Sequence, residues 1–446
     1  MKEQQHIFTN KMLRTLLIPV IFEQVLNSLM GTVDTMMVSN VGSAAISAVS
    51  LVDSINVLVI QAFSALAAGG AILCSQYIGQ KNHEMANKSA RQVLFIITAI
   101  SVAVTALCLL FRVPLLKLIF GKVESDVMTA SQVYFFYTAL SFPFIALYDA
   151  GASIFRSQGN TRGPMTVSVI SNVINIGGNA ALIWGFNMGV AGAAIATVFS
   201  QGVSAILCYI YMMRRFDILK TTPAERKFDG ALARTLMYIG VPMGLQFSIT
   251  AIGSIMLQSA NNALGTACVA AFTAAMRIKM FFMCPFESLG MAMATYSGQN
   301  YGAGKPERIW MGVKASALMM IVYWAFTFCV LMFGARTFAL LFVDASELEI
   351  LKNTELFLHI SVSFFPVLGL LCILRYTIQG VGYTNLAMLS GVLEMIARIL
   401  VSLLAVPAFG CLAVCFGDPT AWIFADAFLI PAFIYVYRRI LRMKKN

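Results

Sequence analysis

The chain has 446 residues, 59% of them hydrophobic and only 11% charged, with a net charge of +11 and a mean hydropathy of +0.80. An ordinary soluble domain carries about 25% charged residues. This balance excludes a soluble enzyme, a disordered chain and a nucleic-acid binder, and it describes a polytopic membrane protein.

The opening segment, MKEQQHIFTNKMLR, carries no short apolar run ending in a small-residue cleavage site. The apolar run that follows is too long for a signal sequence and reads as a first span. Apolar runs bounded by charge, Gly or Pro then predict twelve spans, at 13–38, 46–73, 92–111, 132–152, 164–184, 192–213, 235–260, 267–293, 310–334, 353–374, 386–407 and 420–437. Each has about the length a helix needs to cross a bilayer. Pro19 is expected to bend or break the first of them. The nine cysteines are scattered, mostly inside apolar runs, and read as small packing residues. Cys411 and Cys415 have no histidine or further cysteine nearby that would complete a zinc site.

Cytoplasmic loops keep the excess of Lys and Arg. With the N-terminus inside, 23 of the 31 basic residues fall in inner loops or tails, Arg156 and Arg375 among them. Five fall outside (Arg112, Lys117, Lys122, Arg336, Lys352), and Arg277, Lys279 and Arg398 lie within spans. Both termini are therefore expected in the cytoplasm, with the basic loops against the anionic inner leaflet.

The two halves repeat at a constant offset of 223 residues. Pro19 falls on Pro242, Gly42 on Gly265, Gln76 on Gln299, Gly79 on Gly302, Phe142-Pro143 on Phe365-Pro366, Gly159 on Gly382 and Thr161 on Thr384. Six spans per half start both halves on the same side, so the repeats are parallel. That arrangement points to an alternating-access transporter. The fold class is an all-α membrane protein with twelve transmembrane helices in two six-helix lobes. The lobes are placed at 1–213 and 235–446, joined by a cytoplasmic linker at 214–234.

Ionisable groups inside spans are costly and mark function by default. They are Glu23, Asp34, Asp53, Asp149, Arg277, Lys279, Glu287, Glu355, Glu394, Arg398 and Asp426. Asp34 has no basic neighbour in sequence. Glu23, eleven residues earlier, shares its helix face about 16 Å away along the axis, and Asn27 lies close to that face. In the fifth span, Asn172, Asn175 and Asn179 form one stripe. Amides do not face lipid, so the stripe faces a cavity or another helix. A carboxylate with several amide oxygens and a hydroxyl would suit Na⁺ as a ligand set, and the same carboxylate could serve a proton. In the second half the offset puts Leu257 at the place of Asp34, Met276 at that of Asp53, Gln246 at that of Glu23 and Arg398 at that of Asn175. Glu394 and Arg398, four apart, read as a structural ion pair. Arg277, Lys279 and Glu287 either pair within the eighth span or line a cavity.

Several stretches carry a family likeness. They are Val33-Asp34-Thr35, Ser75-Gln76-Tyr77-Ile78-Gly79, Phe155 to Thr161, Gly189 to Thr197, Arg277-Ile278 with Pro285, and Gly298-Gln299-Asn300-Tyr301-Gly302-Ala303-Gly304-Lys305. Together, over nearly the whole chain, they resemble the multidrug and toxic compound extrusion (MATE) family of cation-coupled antiporters. The resemblance implies export of lipophilic organic cations against inward Na⁺ or H⁺. It also implies a cation site of Asp34, Asn175, Asn179 and Thr197, with Asp34 the Na⁺ ligand. Many relatives carry Asp where Asn179 stands, and Asp53 is the carboxylate available to substitute. Glu23, Asn27, Asp53, Asn172 and Gln246 are secondary cation or substrate candidates. No cofactor is expected beyond the coupling ion. The expected partners are a small cationic substrate and the lipid of the plasma (inner) membrane, with no nucleic acid, and the chain is expected to be a monomer. The competing reading is a lipid-linked saccharide flippase, which needs a basic cavity. No hydrolase, metalloprotease or phosphate-loop motif supports an enzyme.

Overall fold

The computed structural model describes residues 10–38, 43–121, 124–215 and 228–445. Residues 216–227, most of the expected linker, lie outside it, as do Lys2, Gly42 and Lys122. The described chain is built from α1 (Asn10–Val38), α2 (Ser43–Gly79), α3 (His83–Leu110), α4 (Arg112–Phe120), α5 (Ser125–Ser157), α6 (Arg162–Asn179), α7 (Gly189–Arg215) and α8 (Gly230–Asn262). It continues through α9 (Thr266–Gly302), α10 (Pro306–Ala339), α11 (Leu348–Ser363), α12 (Phe365–Val381), α13 (Thr384–Leu400), α14 (Val406–Phe409), α15 (Cys411–Cys415) and α16 (Gly417–Lys445). Among the described residues, ten helical segments are long and apolar enough to cross a membrane, and α11 with α12 forms an eleventh span, bent by 48°. The 29-residue α1 completes twelve.

The helices overrun the apolar windows. The apolar window of the fourth span is 132–152, whereas α5 runs to Ser157; that of the tenth ends at 374, whereas α12 continues to Val381. Arg156 and Arg375, which the sequence places in loops, are therefore helix residues, Arg375 buried and Arg156 largely so. Asp418, read as lying before the last span, is the second residue of α16. The overrun needs no apolar side chains, because backbone hydrogen bonding continues while polar groups find partners in neighbouring helices.

The prolines behave differently in the two halves. α1 is continuous through Pro19, so of the expected bend or break the break does not occur. Pro143 likewise sits inside α5, whereas its repeat partner Pro366 stands at the start of α12, directly after the bend. α6 passes into a π-helical turn at Ala180–Gly185, and α13 into another at Val401–Ala405. The two turns fall at overlapping repeat positions.

The repeat motifs that looked most specific are helix ends. Gly304 (φ +64°) and Gly382 (φ +102°) take the left-handed conformation, as do their partners Lys81 (φ +60°) and Gly159 (φ +78°). At each end two backbone N–H groups fold back onto the last turn, as in Lys305 N to Asn300 O (2.9 Å) and Asn160 N to Phe155 O (3.0 Å). This is the double bond of a Schellman cap. The Gly298–Lys305 stretch thus makes a turn.

Two compact units are present. One is Ile18–Gly244; the other is Leu245–Asn446 together with the start of the chain up to Leu17. The division falls inside α1 and α8 rather than within 214–234. In the first unit the start of α8 packs on α2, where a Cβ on Gly69 would lie 2.5 Å from Gly240 Cα. Only two glycines allow so close a crossing. In the second unit Leu13 is buried in a core with Leu257, Phe286, Phe365 and Trp422. One cysteine expectation is corrected: Cys268 and Cys411 form a disulfide, their Cα atoms 6.0 Å apart although 143 residues separate them. The remaining seven are free. Large apolar side chains such as Phe333 and Leu118 stand exposed on the outer faces of their helices, as lipid-facing residues must.

Candidate functional site

In the Ile18–Gly244 unit, α1, α6 and α7 bring Asp34, Asn175, Asn179 and Thr197 together. Asp34 is 3% exposed, and Asn175 and Asn179 are fully buried. Asn179 Nδ2 donates to Asp34 Oδ1 at 2.5 Å, and Thr197 Oγ1 lies 3.2 Å from Asp34 Oδ2 and 3.0 Å from Ala193 O. Asn175 Nδ2 donates to Thr197 Oγ1 at 3.2 Å, and Asn179 Nδ2 also reaches Asn175 Oδ1 at 3.4 Å. The stripe spacing on α6 is what lets two amides meet one carboxylate. Asn179 Oδ1 is buried without a hydrogen-bond partner. The result is a carboxylate that accepts from an amide N–H and a hydroxyl, with the side-chain oxygens of Asn175 and Asn179 on the same cluster. Hard cations take oxygen ligands of this kind.

Beside Asp34 lies a cavity of about 250 Å³. Its walls include Asn27, Asp34, Asp53, Asn56, Tyr134, Asp149, Ser168, Ser171, Thr197 and Gln201. Among the described residues, no lysine, arginine or histidine lines it. Asp53, on α2, accepts from Tyr134 Oη (3.3 Å) and Asn56 Nδ2 (3.4 Å). Asn27 accepts from Ser168 Oγ at 3.0 Å.

The other secondary candidates lie elsewhere. Glu23 is 1% exposed and paired with Arg156 at 3.0 Å, with Tyr148 Oη at 3.1 Å. Its partner is thus an internal cation. Asn172 turns to its own helix, donating to Ser168 O at 2.9 Å. Gln246 belongs to the other unit, where its amide meets that of Gln379 at 2.9 Å.

In the second unit the buried cations Lys279, Arg375 and Arg398 are each engaged by a carboxylate, whereas Asp426 is buried with neither oxygen hydrogen-bonded. Lys279 pairs with Asp418, Arg398 Nε donates to Asp418 Oδ1 at 3.0 Å, and Arg375 pairs with Glu394. The expected Glu394–Arg398 contact is present but long, at 3.5 Å. Arg398 and Lys279 occupy the repeat positions of Asn175 and Asn56. Where the first unit offers neutral oxygens, the second supplies its own tethered cations. Glu287 is bonded by Tyr376 Oη at 2.9 Å. Among the described residues no cluster of three His, Cys, Asp or Glu side chains could hold a metal.

Residue type alone did not single out Tyr134, Asn56, Arg156 or Arg375. The first two resemble many other polar and aromatic residues of the spans. The last two fell beyond the apolar windows.

The MatE family model matches residues 19–181 and 239–404. A probable multidrug resistance protein, YoeA of Bacillus subtilis, is 27% identical over 329 residues, 70% of either chain. A protein of Shewanella oneidensis described as an FAD transporter is 24% identical over 344 residues, 76% of this chain and 75% of that one. A solved outward-facing structure of a multidrug resistance MATE family transporter of the MOP superfamily superimposes with a TM-score of 0.90 at 21% identity, covering 98% of this chain and 97% of the other. At that identity the likeness is one of fold.

Proposed function

We propose, from the premise that this chain belongs to the MatE family of membrane transporters, that it exports lipophilic organic cations in exchange for inward Na⁺ or H⁺ by alternating access. In this reading Asp34, Asn175, Asn179 and Thr197 bind the coupling ion. The protein works as a monomer in the plasma (inner) membrane, with both termini in the cytoplasm. The observation that carries the reading is the acidic cavity beside Asp34, which among the described residues holds three carboxylates and no basic side chain. A cation entering it is attracted by charges that have already lost their water.

A lipid-linked saccharide or another pyrophosphate-bearing substrate such as FAD would need the opposite sign of charge. Lys279, Arg375 and Arg398, the buried cations of the second unit, are each engaged by carboxylates. That favours the cationic substrate.

The test is efflux of ethidium from proteoliposomes with Na⁺ and pH gradients imposed separately. One gradient should drive efflux, and Asp34→Asn should abolish it without changing the protein's monodispersity. Undiminished efflux in Asp34→Asn, or inhibition by FAD but not by organic cations, would overturn the reading.

A further inference from the structure

Asp34 and Asp53 face the same cavity but stand in different situations. Both oxygens of Asp34 are engaged, Oδ1 by Asn179 and Oδ2 by Thr197. Asp53 takes its hydrogen bonds from Tyr134 and Asn56 on Oδ1 alone. Its Oδ2 makes no hydrogen bond among the described residues. Asn56 lies one helical turn further along α2, also lines the cavity, and is only 7% exposed. Asn56 Nδ2 is used on Asp53, and Asn56 Oδ1 is buried with no hydrogen-bond partner. One wall therefore presents a free carboxylate oxygen, an unpartnered amide oxygen and a phenolic oxygen to the same space.

This is an electrostatic problem as well as a ligand set. Two carboxylates in one water-poor cavity repel each other, and one monovalent cation at Asp34 leaves the other uncompensated. Asp149, the third acid of the cavity, has the Arg156 guanidinium among its charged neighbours. Asp53 has no such cation on the cavity wall among the described residues.

We propose that Asp53, with the Asn56 amide oxygen and the Tyr134 hydroxyl, is a second monovalent-cation site, so that the cavity holds two cations at once, one at Asp34 and one at Asp53. The site rests on the transport reading above and deepens it. The shared chemistry is a single positive charge, which comes either from a second coupling ion or from the organic substrate itself.

Two measurements on the purified full-length protein separate these sources. The first is static-head accumulation of tetraphenylphosphonium in proteoliposomes against graded Na⁺ or pH gradients. The second is equilibrium binding of tetraphenylphosphonium in detergent. If Asp53 holds a second coupling ion, the logarithmic slope of accumulation on the driving gradient falls from about two to about one in Asp53→Asn, and tetraphenylphosphonium affinity is unchanged. If it holds the substrate, the slope is unchanged and affinity falls about tenfold or more, as expected for loss of a charged partner. In either case Asp53→Glu restores much of the wild-type value, which a folding defect would not allow. Wild-type slope and affinity in Asp53→Asn overturn the proposal. The Asp34→Asn variant keeps the two readings apart. If it transports normally, the coupling role of Asp34 fails, while the slope and the binding affinity of Asp53→Asn together still decide this site.

Discussion

Arg156 donates to Glu23 across α5 and α1 at 3.0 Å, and 223 residues further on the same two positions hold Gln379 and Gln246, whose amides meet at 2.9 Å. One geometry is thus filled by an ion pair in one unit and by a neutral pair in the other. The two solutions differ in what happens when one partner is lost. A neutral amide left alone costs a hydrogen bond, whereas an unpaired buried guanidinium costs its solvation. Glu23→Gln should therefore lower stability by about 3–5 kcal/mol. The double variant Glu23→Gln/Arg156→Gln, which copies the second unit, should recover most of that loss. Thermal unfolding of the three proteins in detergent checks this, and additive losses would contradict it.

Thr197 and Asn175 support Asp34 through one hydroxyl. Thr197→Val keeps the shape and removes the oxygen. Coupling-ion affinity should drop about tenfold, while Asn172→Leu, whose amide bonds only its own helix, should leave it within about twofold. The ion concentration at half-maximal efflux reads this directly. Equal effects would mean that the whole stripe acts as one ligand set.

The Cys268–Cys411 disulfide ties the start of α9 to α15, between α14 and α16. In the proposed orientation, with both termini in the cytoplasm, that end of the helices faces the compartment where disulfides persist. Reduction, or Cys268→Ser, should cost about 2–4 kcal/mol. A membrane-impermeant maleimide should label intact cells only after reduction. Labelling restricted to inside-out vesicles would reverse the orientation.

Gly69→Ala should destabilise the first unit by about 1–3 kcal/mol. The new Cβ would meet the Gly240 backbone at 2.5 Å, and a main chain cannot swing aside as a side chain can. At Gly177, in α6, a Cβ meets nothing within 4 Å, so Gly177→Ala should be neutral or stabilising. The pair of melting temperatures tests whether the glycine–glycine crossing is the cause.

Hydropathy and the counting of basic residues are one-dimensional quantities, because the bilayer acts on each segment separately. The sequence by itself therefore determined twelve spans, a parallel repeat and, from helical period, the Asn stripe on α6; the grouping of Asp34 with Asn175, Asn179 and Thr197 is what the family resemblance implies. The tertiary structure decided which polar groups meet. Glu23 found Arg156, Lys279 found Asp418, and Asp53 found Tyr134, over separations of 133, 139 and 81 residues. Partner choice depends on which helix faces touch, and no local pattern encodes that. The same reason hid the Cys268–Cys411 bond and the division of α1 and α8 between two units. The most recognisable motif, Gly298–Lys305, is legible because a left-handed helix end restricts residue type strongly, whereas a cation site built from common Asp, Asn and Thr side chains restricts it only through their arrangement in space.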